Sequence, residues 1–151
     1  MIVREARPAD MPSLLDFQLK MALETENIQL ELLPLTQGMY KLFKDPTKGK
    51  YYVAEEKGEV IGCLMTTFEW SEWRNGTILW IQSVYVAIPW RRKGVFKEMY
   101  HHIHQLVNEV PDFKGIRLYV DKSNAAAQKV YSGLGMNGEH YSVFEWMKPS
   151  I

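Results

Sequence analysis

The chain has one cysteine in 151 residues, so an internal disulfide is excluded and a reducing compartment, the cytoplasm, is expected. Cys63 lies among Ile61, Leu64 and Met65, where a small core side chain is expected rather than a nucleophile. An excess of one charge sign is also lacking: eighteen basic and eighteen acidic residues give a formal net charge of +0. No global field is therefore available to recruit nucleic acid or an anionic membrane. The sequence has no run of about 20 apolar residues, the length that spans a bilayer, and Met1-Ile2-Val3-Arg4-Glu5 does not read as a signal peptide. Internal repeats and low-complexity linkers are missing too. Neither a Walker loop, with its closing Lys-Ser or Lys-Thr, nor a three-glycine dinucleotide fingerprint occurs.

What is present suffices for one domain, 1–151: 46% of residues are hydrophobic and 13% aromatic, enough for a sizeable core. Ile2 to Ala6 reads as an opening strand, with a helix starting at Asp10 or Pro12. Leu14, Leu15, Phe17, Leu19, Met21 and Leu23 form an imperfect helical stripe. Pro34 is expected to interrupt, and Thr36 to Phe43 to form a further helix. Tyr51 to Glu55 and Val60 to Trp70 read as strands joined at Lys57-Gly58. Asn75-Gly76 is the strongest hairpin signal and pairs the second of these with Thr77 to Val86. Val95, Met99, Ile103, Leu106 and Val110 share one face of a long helix. Ile116 to Val120 reads as a strand, a short helix follows Asn124, and Tyr141 to Met147 reads as a final strand.

Two segments carry the chemistry. In Val84-Tyr85-Val86-Ala87-Ile88-Pro89-Trp90-Arg91-Arg92-Lys93-Gly94-Val95-Phe96, an apolar strand meets a proline-marked break, a basic turn and a helix. The first N–H groups of that helix lack intrahelical partners and carry the positive end of its dipole, which makes an anion site. Arg91, Arg92 and Lys93 strengthen the preference for phosphate, and Gly94 removes a Cβ from the approach of a bulky ligand. The second segment, Asn124-Ala125-Ala126-Ala127-Gln128-Lys129-Val130-Tyr131-Ser132-Gly133-Leu134-Gly135-Met136, offers Asn124 as an N-cap and Gly135 as a left-handed helix end.

Together these segments resemble the GNAT-type N-acetyltransferase superfamily. Arg91, Gly94 and Phe96 fall on its Gln/Arg-x-x-Gly-x-Gly/Ala coenzyme A pattern, with Phe96 departing from the small residue expected last. Asn124, with Tyr131 seven positions later and a Gly-Met close, resembles the second signature. The resemblance implies an α/β (mixed α+β) fold whose mostly antiparallel central sheet is flanked by helices. Two splayed central strands would hold acetyl-CoA as cosubstrate. Backbone groups of Val84, Tyr85 and Val86 would hold the pantetheine arm and polarise the thioester carbonyl. The turn Arg92, Lys93, Gly94, Val95, Phe96 and Lys97 would hold the pyrophosphate. Tyr131 would protonate the leaving thiolate, and Asn124 would anchor its helix or bond the pantetheine. The implied activity is acetyl transfer to a primary amine, a small molecule or a peptide, with no nucleic acid, membrane or metal involved. A homodimer is compatible with this reading.

The general base is the weak point of the pattern. Many relatives carry Glu on the strand where this chain has Gln82, and an amide accepts no proton at neutral pH. Deprotonating an alkyl amine of pKa about 10.4 at pH 7 costs about 4.6 kcal/mol, against about 1.4 for an α-amine near 8. Glu24, Glu26, Glu31 and Glu69 are candidate bases whose default is a solvated surface position. His101, His102 and His104 lack metal-ligand spacing, and His140 is a weak base candidate. Trp70, Trp73, Trp80 and Trp90 suit either an acceptor pocket or core and hairpin packing. Gln82 and Phe96 leave open a non-catalytic acyl-CoA-binding module with a sensing or scaffolding role. A nucleic-acid module built on Arg91 to Lys93 lacks an extended basic face.

Overall fold

A computed structural model describes residues 1–149. Two compact units divide the chain, Met1–Leu118 and Tyr119–Ile151. The first holds a mixed five-stranded sheet of β1 (Ile2–Glu5), β2 (Lys50–Glu56), β3 (Glu59–Ser71), β4 (Gly76–Val86) and β5 (Phe113–Arg117), adjacent in chain order. The first four pair antiparallel, and β4 pairs parallel with β5. The helices of this unit are α1 (Met11–Glu26), α2 (Leu32–Lys44) and α3 (Val95–Glu109).

The β2 and β3 strands are buried on both faces, and the pleat divides their side chains between the helices on either side. Tyr51, Val53, Cys63 and Tyr85 point to one side and pack with Leu14 and Phe17 of α1 and Met39 of α2. On the other side Val95, Met99 and Ile103, spaced at one helical turn, are buried as α3 lies on the sheet. Burying each such aliphatic side chain contributes about 1.5–3 kcal/mol. Gly62 lies against the start of α3. A Cβ there would stand 3.1 Å from the Tyr85 carbonyl oxygen and 3.1 Å from Val95 Cγ1, tighter than ordinary contact, so glycine eases the close approach of the start of α3 to β3.

The start of α1 is held by Asp10. Its carboxylate takes both Arg4 guanidinium nitrogens at 2.8 and 3.0 Å and the Arg7 N–H at 2.7 Å. The Arg4 pairing holds this carboxyl below the usual carboxylate range against the opposing effect of burial. At the far end Asn27 closes α1 in the left-handed conformation, φ 53°.

Several expectations require correction. Pro34 does not interrupt α2 but lies in its first turn, where a missing N–H costs no intrahelical bond. The helix therefore begins at Leu32, before the expected Thr36. The turn at Lys57-Gly58 has φ of 51° and 81°, as a tight hairpin of the right twist requires. The β3–β4 hairpin forms too, yet Asn75-Gly76 is not its two-residue tip. Ser71 pairs with Gly76 across the loop Glu72 to Asn75, in which Asn75 alone has positive φ. The strand expected over Ile116 to Val120 runs instead from Phe113 to Arg117, where pairing with β4 stops.

The second unit contains α4 (Ala125–Gly133), described by itself. Asn124 Oδ1 accepts the Ala127 N–H at 3.0 Å, as an N-cap should. Gly135, φ 88°, ends the helix, with the Met136 N–H on the Tyr131 carbonyl and the Gly135 N–H on that of Ser132. The final strand expected over Tyr141 to Met147 does not form among the described residues. Alternating aromatic and branched residues give that segment strand propensity, but a strand persists only with a partner ladder.

Candidate active site

The site is built on the β4 strand and the turn that follows it. The last β4–β5 pair is Trp80 with Arg117, whereas β4 continues to Val86. Glu69 of β3 fixes this divergence point. Its carboxylate accepts the Trp80 indole N–H at 2.7 Å and the Arg117 guanidinium at 2.8 and 2.9 Å. These bonds hold its pKa low, so Glu69 serves as a strand latch and not as a base.

Beyond the latch β4 carries a bulge. Met65 pairs with Gln82 but Cys63 pairs with Tyr85, so the β4 side has one residue more than β3. Ser83 takes up the extra length at φ 55°. Of the non-glycine residues with positive φ, Asn27, Lys57 and Asn75 serve caps or hairpins. The other two among the described residues lie just before and within the segment expected to hold the cofactor: Ser83 precedes Val84, and Arg92 opens the basic turn. Such conformations cost of order 1–3 kcal/mol and collect at functional sites.

A cavity of about 300 Å³ opens beside the bulge. Leu35, Met39, Leu42 and Met65 give it apolar walls, while Gln18, Tyr51 and Ser83 supply the polar atoms. Buried Gln18 donates through Nε2 to the Ser83 carbonyl at 3.4 Å and to Cys63 Sγ at 3.7 Å. Burial pushes the Cys63 thiol up to about 12, which keeps it protonated and inert, as expected of a core cysteine. Gln82 Oε1 accepts the Thr67 hydroxyl at 3.2 Å. Among the described residues no tryptophan lines this cavity. Trp70 and Trp73 are 59% and 89% exposed, and the Trp90 ring lies under Lys93 Nζ.

Past Val86 the chain makes a 3-10 turn, Ile88–Trp90, with Pro89 inside it. Arg92 and Gly94 then adopt φ of 62° and 81°, and α3 starts at Val95. The first helical bond runs from the Glu98 N–H to the Gly94 carbonyl at 3.0 Å, which leaves the preceding N–H groups as the open end of the helix. Left-handed residues in such a turn point successive N–H groups into one concavity suited to an anion. Arg92, Lys93, Gly94 and Lys97 are exposed there, whereas Val95 is buried and Phe96 half-buried.

Arg91 behaves differently from its basic neighbours. Its Nε donates to the Val86 carbonyl at 2.8 Å, Nη2 pairs with Glu24 at 2.8 Å, and the guanidinium lies 5.2 Å from the Tyr85 ring centre. Glu24 also accepts the Tyr85 hydroxyl at 3.4 Å. Arg91 thus clamps the end of β4 to α1, a role its place in the motif does not reveal. Glu26 and Glu31 are exposed, as expected of surface acids. His102 packs against Tyr52, and among the described residues no group of side chains is arranged to hold a metal. In the second unit, burial raises the Tyr131 phenol above its ordinary value, so it keeps its proton at neutral pH. Sequence reading missed Gly62, Ser83 and Gln18. Only the glycine left a signal, as an unexplained gap in an apolar strand.

Residues 16–136 match the Acetyltransferase (GNAT) family, and the chain belongs to that family. Its fold is similar to that of a possible acetyltransferase from Clostridium difficile 630, at 39% identity and TM-score 0.91, covering 99% of this chain and 98% of that one. An aminoglycoside acetyltransferase from an uncultured soil metagenomic sample, solved with sisomicin, shares the fold at 16% identity and TM-score 0.79, covering 99% and 96%. A transcriptional regulator from Bacillus halodurans C-125 shares it at 20% identity and TM-score 0.82, covering 97% and 99%. No curated protein matches the sequence.

Proposed function

We propose that this protein is an acetyl-CoA-dependent N-acetyltransferase that passes the acetyl group to a primary amine by direct attack on the thioester. The observation that carries the reading is the continuity of strained β4 bulge, diverging strand edge and open α3 N-terminus within residues 83–97. Acetyl-CoA supplies an activated acyl group and a diphosphate. The diphosphate fits the open amides and the exposed cations Arg92, Lys93 and Lys97. Backbone groups of Val84, Tyr85 and Val86, on the strand left unpaired by β5, orient the acyl carbonyl. Preorganised donors of this kind contribute about 2.7–4 kcal/mol each in acyl transfer.

Arg91 positions this segment through Val86 and Glu24. Asn124 caps α4, and Tyr131, on that helix, returns a proton to the departing thiolate. The assignment of Tyr131 rests on the family pattern and on the phenol keeping its proton at neutral pH. The test is coenzyme A release from acetyl-CoA against a panel of primary amines, with acetyl-CoA affinity measured in parallel. Amine-dependent release supports the reading. Tight acetyl-CoA binding without release to any amine favours the non-catalytic acyl-CoA-binding alternative, which Gln82, hydrogen-bonded to Thr67 and unable to titrate, keeps in view.

A further inference from the structure

We infer that the cavity beside the β4 bulge takes the acceptor, and that the acceptor is a compact monoamine with an apolar body that enters as the neutral amine. This rests on the acetyltransferase reading above. Three observations converge on it. Among the described residues the walls carry no ionised side chain: Leu35, Met39, Leu42 and Met65 are apolar, and Gln18 and Ser83 are neutral. Tyr51 is the one titratable group on the lining among the described residues, and burial holds its phenol protonated. A polycation finds nothing here to pair with, and its desolvation is uncompensated. The volume, about 300 Å³, is at the small end for ligand sites and matches a one-ring amine. The first turn of the α2 wall also exposes Leu32 and Leu33, at 56% and 67%, so the apolar surface continues outside.

Gln18 gives the cavity its direction. Its Nε2 faces the Ser83 carbonyl and Cys63 Sγ, so the amide oxygen, on the other branch of the group, is the acceptor left to hold an amine N–H. That bond places the nitrogen next to Ser83, one residue before the Val84 segment proposed to hold the acyl carbonyl. The cavity also answers the missing base at Gln82. Removing an alkylammonium from water into apolar walls favours its neutral form, so the wall chemistry selects the nucleophilic species without a carboxylate. Attack forms the amide C–N bond as the thioester C–S bond breaks, and the proton lost by the amine nitrogen leaves to solvent.

The test compares 2-phenylethylamine, spermidine and sisomicin as acceptors for the wild type, Gly38→Leu and Leu35→Asp. Gly38 lines the cavity, and a Cβ there meets nothing within 4 Å, so the fold accepts a larger side chain at the cavity's edge. Expected for the wild type is a kcat/KM for 2-phenylethylamine at least about tenfold above that of either polycation. It should rise about tenfold per pH unit between pH 7 and 9 as the neutral amine accumulates. Gly38→Leu should raise KM for 2-phenylethylamine about tenfold at unchanged acetyl-CoA affinity, and Leu35→Asp should narrow the gap to spermidine. A wild-type preference for spermidine or sisomicin overturns the inference while leaving the acetyltransferase reading intact. Unchanged KM in folded Gly38→Leu also overturns it. If no amine is acetylated, the functional reading fails first, and saturation-transfer NMR of 2-phenylethylamine then decides the cavity. A signal weakened by Gly38→Leu supports the site, and an equal signal overturns it.

Discussion

Gly94 offers a direct test of the phosphate turn, because its environment separates backbone cost from charge. It sits at φ 81°, and a Cβ built on it meets nothing within 4 Å. Gly94→Ala therefore introduces no clash, only the left-handed penalty of about 1–2 kcal/mol for an L-residue. If the turn must keep this conformation to bind, acetyl-CoA affinity should fall by about 5–30-fold. Gly94→Gln adds neutral bulk, and Gly94→Glu adds the same bulk with a charge. Two unit charges about 6 Å apart in a water-like medium repel by about 0.7 kcal/mol, so a diphosphate carrying two charges adds about 1.4 kcal/mol. Gly94→Glu should accordingly bind about tenfold more weakly than Gly94→Gln, and that difference should shrink at high salt. Titration calorimetry with acetyl-CoA at two ionic strengths measures all three variants, with circular dichroism to establish that each is folded. Equal affinities for Gly94→Glu and wild type would remove the diphosphate from this turn.

Two further predictions concern single side chains. Tyr131→Phe should lower turnover about 10²–10⁴-fold with little change in acetyl-CoA affinity. Burial raises the phenol above its ordinary value, so any alkaline loss due to this group should appear at higher pH than for a free tyrosine, and full turnover of the variant at saturating acetyl-CoA would reduce Tyr131 to packing. Asp10→Asn removes the charged bidentate partner of Arg4, which keeps Glu55 at 3.2 Å, and should cost about 1.5–3 kcal/mol at pH 7. The Asp10 carboxyl is held below its unfolded value, so its contribution is complete above about pH 4 and is lost as pH falls through the folded pKa. Urea unfolding at pH 7 and pH 3 should therefore show a smaller gap between variant and wild type at pH 3, and an unchanged gap would contradict the linkage.

Local patterns made much of the fold legible. Apolar runs bounded by turn residues marked β2, β3 and β4, and the spacing of Val95, Met99 and Ile103 marked the buried face of α3. Asn124 and Gly135 marked the ends of α4 because capping depends on a few consecutive residues. Gly94 marked the turn before α3 for the same reason. The errors fell where neighbours in space decide. Strand propensity at Tyr141 to Met147 found no ladder partner among the described residues, and Ile116 to Val120 gave way to Phe113–Arg117 because pairing with β4 fixes the strand's limits.

The amino-acid order by itself determined the family, the place of the basic turn and the absence of a carboxylate at Gln82, since each is a matter of residue type at a given spacing. Tertiary structure alone decided what those residues do. Arg91 looked like one of three equivalent cations, yet Glu24, distant in sequence and adjacent in space, turns it into a clamp. Ser83 gave no sign of a bulge, because the extra residue exists only relative to β3. Gln18, an ordinary polar residue in a helical stripe, becomes a cavity wall only when α1 packs over that bulge. A side chain's type is set by the sequence, but its partners, its burial and therefore its chemistry are set by contacts that form only on folding.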